Sequence, residues 1–176
     1  MRLFAAIAVP EDVADGLARR QSGLPGAKWR PREALHITLR FFGEATPRQA
    51  DDLDAELSSI HRAPFELNLE GVGAFGDGHT ERAVWAGVAP SEALEALHRK
   101  CETAARRAGL AAETRAYRPH VTLAYLKRPD PKRVAAWITG HNLLRSPPFR
   151  VDRFGLYSSW LSLNGSTYEL EREYLL

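Results

Sequence analysis

The sequence lacks the features that mark several large protein classes. Its single cysteine, Cys101, excludes an internal disulfide framework and a cysteine-rich zinc site. No apolar run approaches the roughly 20 residues that a membrane-spanning helix needs. The apolar segment before the N-terminal Ala-Ile-Ala is also too short for the core of a signal peptide. We therefore expect a cytoplasmic protein.

An excess of charge of one sign is also lacking. The chain has 24 basic and 22 acidic residues and a formal net charge of +2. Strong non-specific binding to a long polyanion needs a basic face, so this balance argues against that class, whereas a small anion in a local pocket stays compatible. The 44% of apolar and 26% of charged residues fit a single globular domain over residues 1–176.

Two kinds of ligand motif are missing as well. The stretch GVGAFGDG, from Gly71 to Gly78, contains Gly-x-Gly but opens no helix, so we predict a flexible loop there and not a nucleotide fingerprint. No carboxylate cluster or His-Glu-x-x-His supplies a metal site. We therefore expect chemistry without a metal or another cofactor. Cys101 lies at helical spacing with Leu94 and Leu97, which predicts a buried packing role.

The remaining pattern predicts an interspersed set of strands and helices. Strands are expected near Leu3–Val9, Leu35–Phe42, Phe65–Leu69, Ala83–Val88, His120–Leu126, Arg150–Trp160 and Ser166–Leu170. Helices are expected near Glu11–Gln21, Pro47–Ile60, Ser91–Ala108 and Pro131–Thr139, with Thr46 and Ser91 as N-caps. Asn164-Gly165 predicts a hairpin. The hairpin and the short connections favour antiparallel or mixed sheets over a doubly wound sheet.

One tetrapeptide pattern occurs twice, as HITL from His36 and as HVTL from His120, 84 positions later. In a strand, residues two apart share a face. Each copy therefore presents an imidazole and a hydroxyl on one side and two aliphatic anchors on the other. Since 84 is close to half of the 176 residues, we interpret the pair as a degenerate duplication, in which two lobes each donate one strand to a shared cleft.

Two opposed imidazoles suit acid–base chemistry at phosphorus. Histidine titrates near neutral pH and can act as acid or base. Displacement at phosphorus places the entering and leaving oxygens roughly in line, on opposite sides. Thr38 and Thr122 could then donate hydrogen bonds to the non-bridging oxygens. A cyclic phosphodiester is a suitable substrate, because its leaving oxygen remains tethered.

The twin motifs resemble those of the two-histidine phosphoesterases. The segment KWRPREALHITLRFFGE, from Lys28, is similar to the N-terminal signature of the LigT-type RNA 2′,3′-cyclic phosphodiesterases, also called 2′-5′ RNA ligases. Further similar segments are RAVWAGV from Arg82, RPHVTLAYL from Arg118 and LYSSWLSLNGSTYEL from Leu156. The resemblance implies a bilobal α+β fold with pseudo-two-fold sheets, outer helices and a central cleft. It also implies hydrolysis of RNA 2′,3′-cyclic phosphates to 2′-phosphates, with 2′-5′ ligation as a side activity.

The resemblance also implies roles for the motif residues. His36 matches the proton donor of the family and His120 the proton acceptor, while Thr38 and Thr122 match threonines that contact the phosphate. Tyr125 departs from the pattern, because relatives commonly carry Arg there. Another cation should then balance the phosphate charge.

The candidates for that cation are Arg40, which shares the strand parity of His36, and Arg118 and Lys127, which flank the second motif. Phe42 has the same parity as His36 and is a candidate for lining the cleft and stacking a base. We expect Trp29 and Trp85 to serve packing.

Two other functions stay open at this point. One is the same chemistry on another cyclic or 2′-5′-linked substrate, and the other is a catalytically idle nucleotide- or RNA-binding module on the same fold. The intact histidines and threonines favour an enzyme. The expected partner is an RNA or oligonucleotide 3′ end that carries a cyclic phosphate. We expect a monomer with no obligatory protein partner and no association with a membrane.

Overall fold

A computed structural model describes residues 1–76, 82–163 and 165–176 of the chain. The strands are β1 (Arg2–Ala8), β2 (Ala27–Trp29), β3 (His36–Glu44), β4 (Phe65–Leu67), β5 (Leu69–Phe75), β6 (Ala83–Val88), β7 (His120–Leu126), β8 (Phe149–Val151), β9 (Arg153–Ser162) and β10 (Gly165–Leu175). The helices are α1 (Glu11–Ala18), α2 (Pro47–Ser58), α3 (Glu92–Arg107) and α4 (Pro131–His141), with a short 3-10 helix at Arg32–Ala34.

The main sheet consists of two halves that meet at one residue pair. One half has the order β10-β9-β1-β3, and the other contains β7, β6 and β5, with β2 also paired to β7. All of these described pairings are antiparallel. The halves join where Ile37 of β3 lies opposite Val121 of β7. Strands β4 and β8 pair separately.

The two halves repeat the same order of elements. The series β1-α1-β3-α2 corresponds to β6-α3-β7-α4. Two pairs of element starts are each separated by 84 positions. His36 and His120 begin β3 and β7, and Pro47 and Pro131 begin α2 and α4. This repetition confirms the predicted α+β fold with pseudo-two-fold sheets.

Helices pack across the two halves of the sheet. α3 follows β6 in one half but contacts β3 in the other, whereas α4 packs on β5. The side chain of Gln21, just after α1, reaches β7 and donates to the carbonyl oxygen of Leu123 at 3.0 Å. The indole of Trp137 in α4 donates to the carbonyl oxygen of Arg20 at 3.3 Å. Helix α3 of the second repeat therefore packs on a strand of the first.

The predicted helix starts are confirmed. Thr46 and Gln49 form a reciprocal capping box at the start of α2, and the Ser91 side chain accepts from the Leu94 amide at the start of α3. The prediction of a loop from Gly71 was wrong for residues 71–75, which belong to β5 and pair with β6. Residues 77–81 and 164 lie outside the described residues.

The predicted hairpin spans one of those positions, Asn164. The strands on either side, β9 and β10, do pair antiparallel, with Gly165 opposite Ser162.

Cys101 is fully buried in the core, as its spacing predicts. Burial raises the pKa of its thiol to about 12, so the thiolate needed for nucleophilic attack is suppressed. Within the described ranges, the helices are too short or too polar to cross a membrane.

Candidate active site

The two His-x-Thr motifs lie side by side at the junction of the half-sheets. Because Ile37 faces Val121 in an antiparallel pair, His36 lies beside Thr122 and Thr38 lies beside His120. Ile37 and Val121 are fully buried on the core face, whereas both histidines and both threonines are partly exposed. The strands thus place all four predicted polar side chains on one face.

Each histidine is fixed by a hydrogen bond to the backbone two residues earlier. The Nδ1 of His120 lies 2.7 Å from the carbonyl oxygen of Arg118, and His36 bonds to the backbone of Ala34. A carbonyl can only accept, so Nδ1 of His120 carries a proton and Nε2 is left for chemistry. The two repeats therefore share the backbone hydrogen bond of the histidine as well as its position in the strand.

Aromatic rings surround both imidazoles. The His36 ring stacks on Phe4, with centroids 5.0 Å apart, and meets the edge of Tyr168 at 5.2 Å. Phe75 packs edge-on against His120 at 4.7 Å. These rings shield the two partly exposed histidines from part of the solvent.

Burial lowers the pKa of both histidines. For His36 the pKa falls from 6.5 to about 4, mainly through loss of hydration and further through the charges of Arg30 and His120, while the bond to Ala34 opposes the change. The pKa of His120 is also lowered by burial, against the opposing effect of its bond to Arg118. Both imidazoles are therefore favoured in the neutral form in the free protein.

Trp85 borders the site instead of lying wholly in the core. Its ring is 6.3 Å from that of His120, and it occupies the space above Gly73, where an added Cβ would come within 2.5 Å of the indole. Trp29, by contrast, packs against Trp137 with centroids 5.9 Å apart, as expected.

The prediction that Phe42 lines the cleft was wrong because β3 contains a bulge. Ala5 and Ala6 of β1 pair with Arg40 and Thr38, so Leu39 is an extra residue on β3. The alternation of faces therefore shifts by one residue. Phe42 is 7% exposed in the core, whereas Phe41, at 55% exposed, takes the place on the cleft side.

β7 has the equivalent bulge. Val84 and Trp85 of β6 pair with Ala124 and Thr122, which leaves Leu123 as the extra residue. Tyr125 is consequently turned outward and is 44% exposed. Phe41 and Tyr125 lie 84 positions apart, so the two repeats present an aromatic ring at corresponding places beyond each threonine.

The same shift applies to Arg40. Its side chain is buried and its Nε donates to Glu102 of α3 at 2.5 Å. The guanidinium also donates to the carbonyl oxygens of Phe41 and Ala111. Arg40 is therefore held in an ion pair and uses three of its five N–H donors. It also borders a cavity with Thr38 and His120, so its contact with the substrate phosphate stays a prediction.

A cavity of about 540 Å³ adjoins one end of the site. Thr38 and His120 form its inner wall, and Phe41, Tyr117 and Arg118 contribute to its sides. The Tyr117 hydroxyl donates to the carbonyl oxygen of Thr38 at 2.8 Å. The exposed side chain of Arg118 borders the cavity, which keeps it a candidate for contact with substrate. Lys127 is exposed beyond β7.

Sequence reasoning missed Arg30, whose charge acts on His36. It directly follows β2, is 6% exposed, and holds its guanidinium carbon 5.3 Å from the ring centroid of Tyr125 and 5.4 Å from that of Tyr168. β2 is too short, at three residues, to produce a strand pattern. No signal in the sequence therefore indicated that Arg30 reaches β7.

A search of residues 1–76, 82–163 and 165–176 finds no group of three or more His, Cys, Asp and Glu side chains able to hold a metal ion. The metal-free mechanism stays a prediction.

The comparisons with known proteins agree with this geometry. A family model described as the 2′-5′ RNA ligase superfamily matches residues 9–159. A protein of Archaeoglobus fulgidus named RNA 2′,3′-cyclic phosphodiesterase is 30% identical over 172 residues, which span 96% of this chain and 97% of the relative.

Solved structures have the same fold. The crystal structure of TT0787 of Thermus thermophilus is 27% identical, covers 100% of this chain and 98% of its own, and superposes with a TM-score of 0.84. The structure of E. coli LigT complexed with 3′-AMP has a TM-score of 0.80 at 24% identity, over 99% of this chain and 97% of its own. The similarity to the LigT structure is a similarity of fold.

Proposed function

This chain belongs to the 2′-5′ RNA ligase superfamily, and from that premise we propose that it hydrolyses 2′,3′-cyclic phosphates at RNA 3′ ends to 2′-phosphates. The observation that carries the proposal is the register at the sheet junction, where Ile37 lies opposite Val121. This register brings two histidines and two threonines, far apart in sequence, onto one face.

The proposed reaction uses one histidine on each side of the phosphorus. His120, neutral at the start, takes a proton from water through Nε2, and the water oxygen forms a bond to phosphorus. The bond between phosphorus and the 3′ oxygen breaks, and His36 donates its proton to that oxygen. The product keeps its phosphate on the 2′ oxygen. Thr38 and Thr122 donate hydrogen bonds to the non-bridging oxygens, where charge develops.

Because the pKa of His36 is lowered, we propose that substrate binding favours protonation of this residue. With a pKa of about 4, His36 is mostly neutral near pH 7 in the free protein, yet a donor must be protonated. A bound phosphate anion favours the imidazolium form and raises the pKa of a neighbouring histidine. Substrate binding would therefore favour the protonated form of His36 that donates the proton.

The names of the relatives support RNA as the substrate class, since the Archaeoglobus fulgidus protein is named for RNA 2′,3′-cyclic phosphates. The exposed rings of Phe41 and Tyr125 offer surfaces on which unpaired bases can stack. Ligation through a 2′-5′ bond is the same ring opening with a ribose 5′ hydroxyl in place of water: the 5′ oxygen bonds to phosphorus, its proton passes to His120, and the bond to the 3′ oxygen breaks. We propose it as a side activity.

Product analysis on a short RNA that ends in a 2′,3′-cyclic phosphate tests the proposal. We expect conversion to the 2′-phosphate, identified by phosphorus NMR or by chromatography against authentic 2′- and 3′-nucleotides. A predominantly 3′-phosphate product would mean that the ribose is reversed between His36 and His120. Absence of turnover with retained binding of the RNA would favour the idle module instead.

A further inference from the structure

We propose that Arg30 binds the substrate phosphate and supplies a positive charge to the site of the two histidines. This inference rests on the proposed function for the identity of the phosphate. Arg30 lies outside both His-x-Thr motifs and directly follows the short strand β2.

Within the described ranges, Arg30 is a buried cation without a partner of opposite charge. The residue is 6% exposed and its guanidinium donates from one nitrogen to the carbonyl oxygen of Ser166 at 3.1 Å. None of the ion pairs among the described residues includes it. Burying a charge is costly unless an anion compensates it, so an anionic ligand would complete this site.

The backbone of Arg30 is held rigidly. Its amide donates to the carbonyl oxygen of Leu123 at 2.8 Å, and the Gln21 side-chain amide donates to the carbonyl oxygens of both Arg30 and Leu123, at 2.9 and 3.0 Å. These bonds tie the residue after β2 to the second motif strand. The bond to Ser166 and the rings of Tyr125 and Tyr168 hold the guanidinium in turn, as a binding residue requires.

The guanidinium of Arg30 lies beside Tyr125 of β7. β2 pairs with β7 so that Lys28 lies opposite Tyr125 and Trp29 opposite Ala124. Arg30 follows on the same strand and lays its guanidinium over the Tyr125 ring, which supports the cation through its π face. The guanidinium therefore reaches from the end of β2 to the second motif strand.

Tyr168 connects this cation to the first histidine. Its ring lies 5.4 Å from the guanidinium carbon of Arg30 and 5.2 Å from the His36 centroid. The charge of Arg30 also contributes to the lowered pKa of His36. A phosphate bound at His36 would thus lie near both groups, and it would neutralise the charge that suppresses protonation of the acid.

The test compares Arg30→Met with Arg133→Met, since Arg133 is an exposed arginine on α4 far along the chain. We expect Arg30→Met to lower kcat/KM on 2′,3′-cyclic AMP roughly 10- to 100-fold, the factor for losing one hydrogen bond to a charged group. It should weaken the binding of inorganic phosphate and raise the pKa of His36, both followed by NMR of the imidazole. Arg133→Met should change none of these.

A double variant that moves the positive charge from position 30 to position 125 tests whether activity can be rescued. Adding Tyr125→Arg to Arg30→Met should restore at least about one order of magnitude of the lost kcat/KM, which a purely structural role for Arg30 would not allow. If Arg30→Met does not fold, Arg30→Gln, which keeps donors for the Ser166 carbonyl, takes its place.

The outcomes separate the two proposals. Unchanged phosphate binding and an unchanged His36 pKa in the Arg30 variant would overturn the role of Arg30, as would equal losses in the Arg133 control. If the wild-type protein opens no cyclic phosphate, the proposed function fails, while weaker phosphate binding by the Arg30 variant would still support the site.

Discussion

His36 and His120 stand diagonally across a single residue pair, since Ile37 and Val121 are the residues at which their strands meet. Each imidazole belongs to the first residue of its strand and bonds to the backbone two residues earlier. The two histidines are therefore related by the same local symmetry as the strands. One imidazole can lie on each side of a phosphorus atom bound over the junction.

Replacing either histidine should remove one proton-transfer group. We expect His36→Ala and His120→Ala each to lower turnover of a cyclic phosphate by at least about 10²-fold. Thr38→Ala and Thr122→Ala should cost less, because one hydroxyl is only part of the phosphate contacts. Steady-state kinetics with His61→Ala, an exposed histidine, as the control would check this. Near-wild-type turnover in a histidine variant would remove that residue from the mechanism.

The rate should follow a bell-shaped dependence on pH. In the free protein the pKa of His36 is about 4 and that of His120 is also lowered, so kcat/KM should peak on the acid side of neutrality. Bound phosphate raises these values, and the alkaline limb of kcat should therefore lie at higher pH than that of kcat/KM. A kcat/KM that rises steadily through pH 8 would contradict the assignment.

Stability should fall on acidification because His36 is buried in its neutral form. Its pKa is about 4 in the folded protein against 6.5 as the ordinary value. Between these pH values the unfolded chain binds a proton that the folded chain does not. The free energy of unfolding should thus decrease from about pH 6.5 down to about pH 4, by up to about 3 kcal/mol. Denaturant titrations should show a smaller decrease in His36→Gln.

The ion pair of Arg40 and Glu102 should matter for stability. Their side chains are 5% and 20% exposed, and Arg40→Met would leave the carboxylate of Glu102 unpaired. We expect a loss of about 3–5 kcal/mol, partly recovered by adding Glu102→Gln. Arg115→Met, which breaks an ion pair whose arginine is 79% exposed, should cost less than about 1 kcal/mol. Equal losses would place Arg40 among ordinary surface charges.

Chelation should leave the activity intact, since acid–base catalysis by two imidazoles requires no metal. Turnover of 2′,3′-cyclic AMP should be the same before and after dialysis against EDTA. Loss of activity that a divalent ion restores would overturn the two-histidine mechanism.

The duplication could be predicted from sequence because its evidence is local. A strand of alternating residues places His36 and Thr38 on one face wherever the strand lies, and the same holds for His120 and Thr122. The helix caps at Thr46 and Ser91 could likewise be predicted from a few neighbouring residues.

The bulges could not be predicted, and they caused the errors. Leu39 and Leu123 look like ordinary strand residues, yet each is an extra residue relative to its partner strand. Strict alternation therefore assigned Phe42 to the cleft and overlooked Phe41. Arg30 was missed for a related reason: its contact with Tyr125 depends on which strands pair, and three residues of β2 carry no periodicity from which to infer it.

The crossed packing of the helices has a consequence for how the protein folds. α3 rests on β3 of the opposite half-sheet, and one hydrophobic cluster contains buried residues of both halves, so the two repeats share an interior. Neither repeat contains a complete hydrophobic core, and an isolated half would expose the strands that its counterpart normally covers. The chain should consequently unfold in one cooperative step, and separately produced halves should acquire structure only by complementing each other.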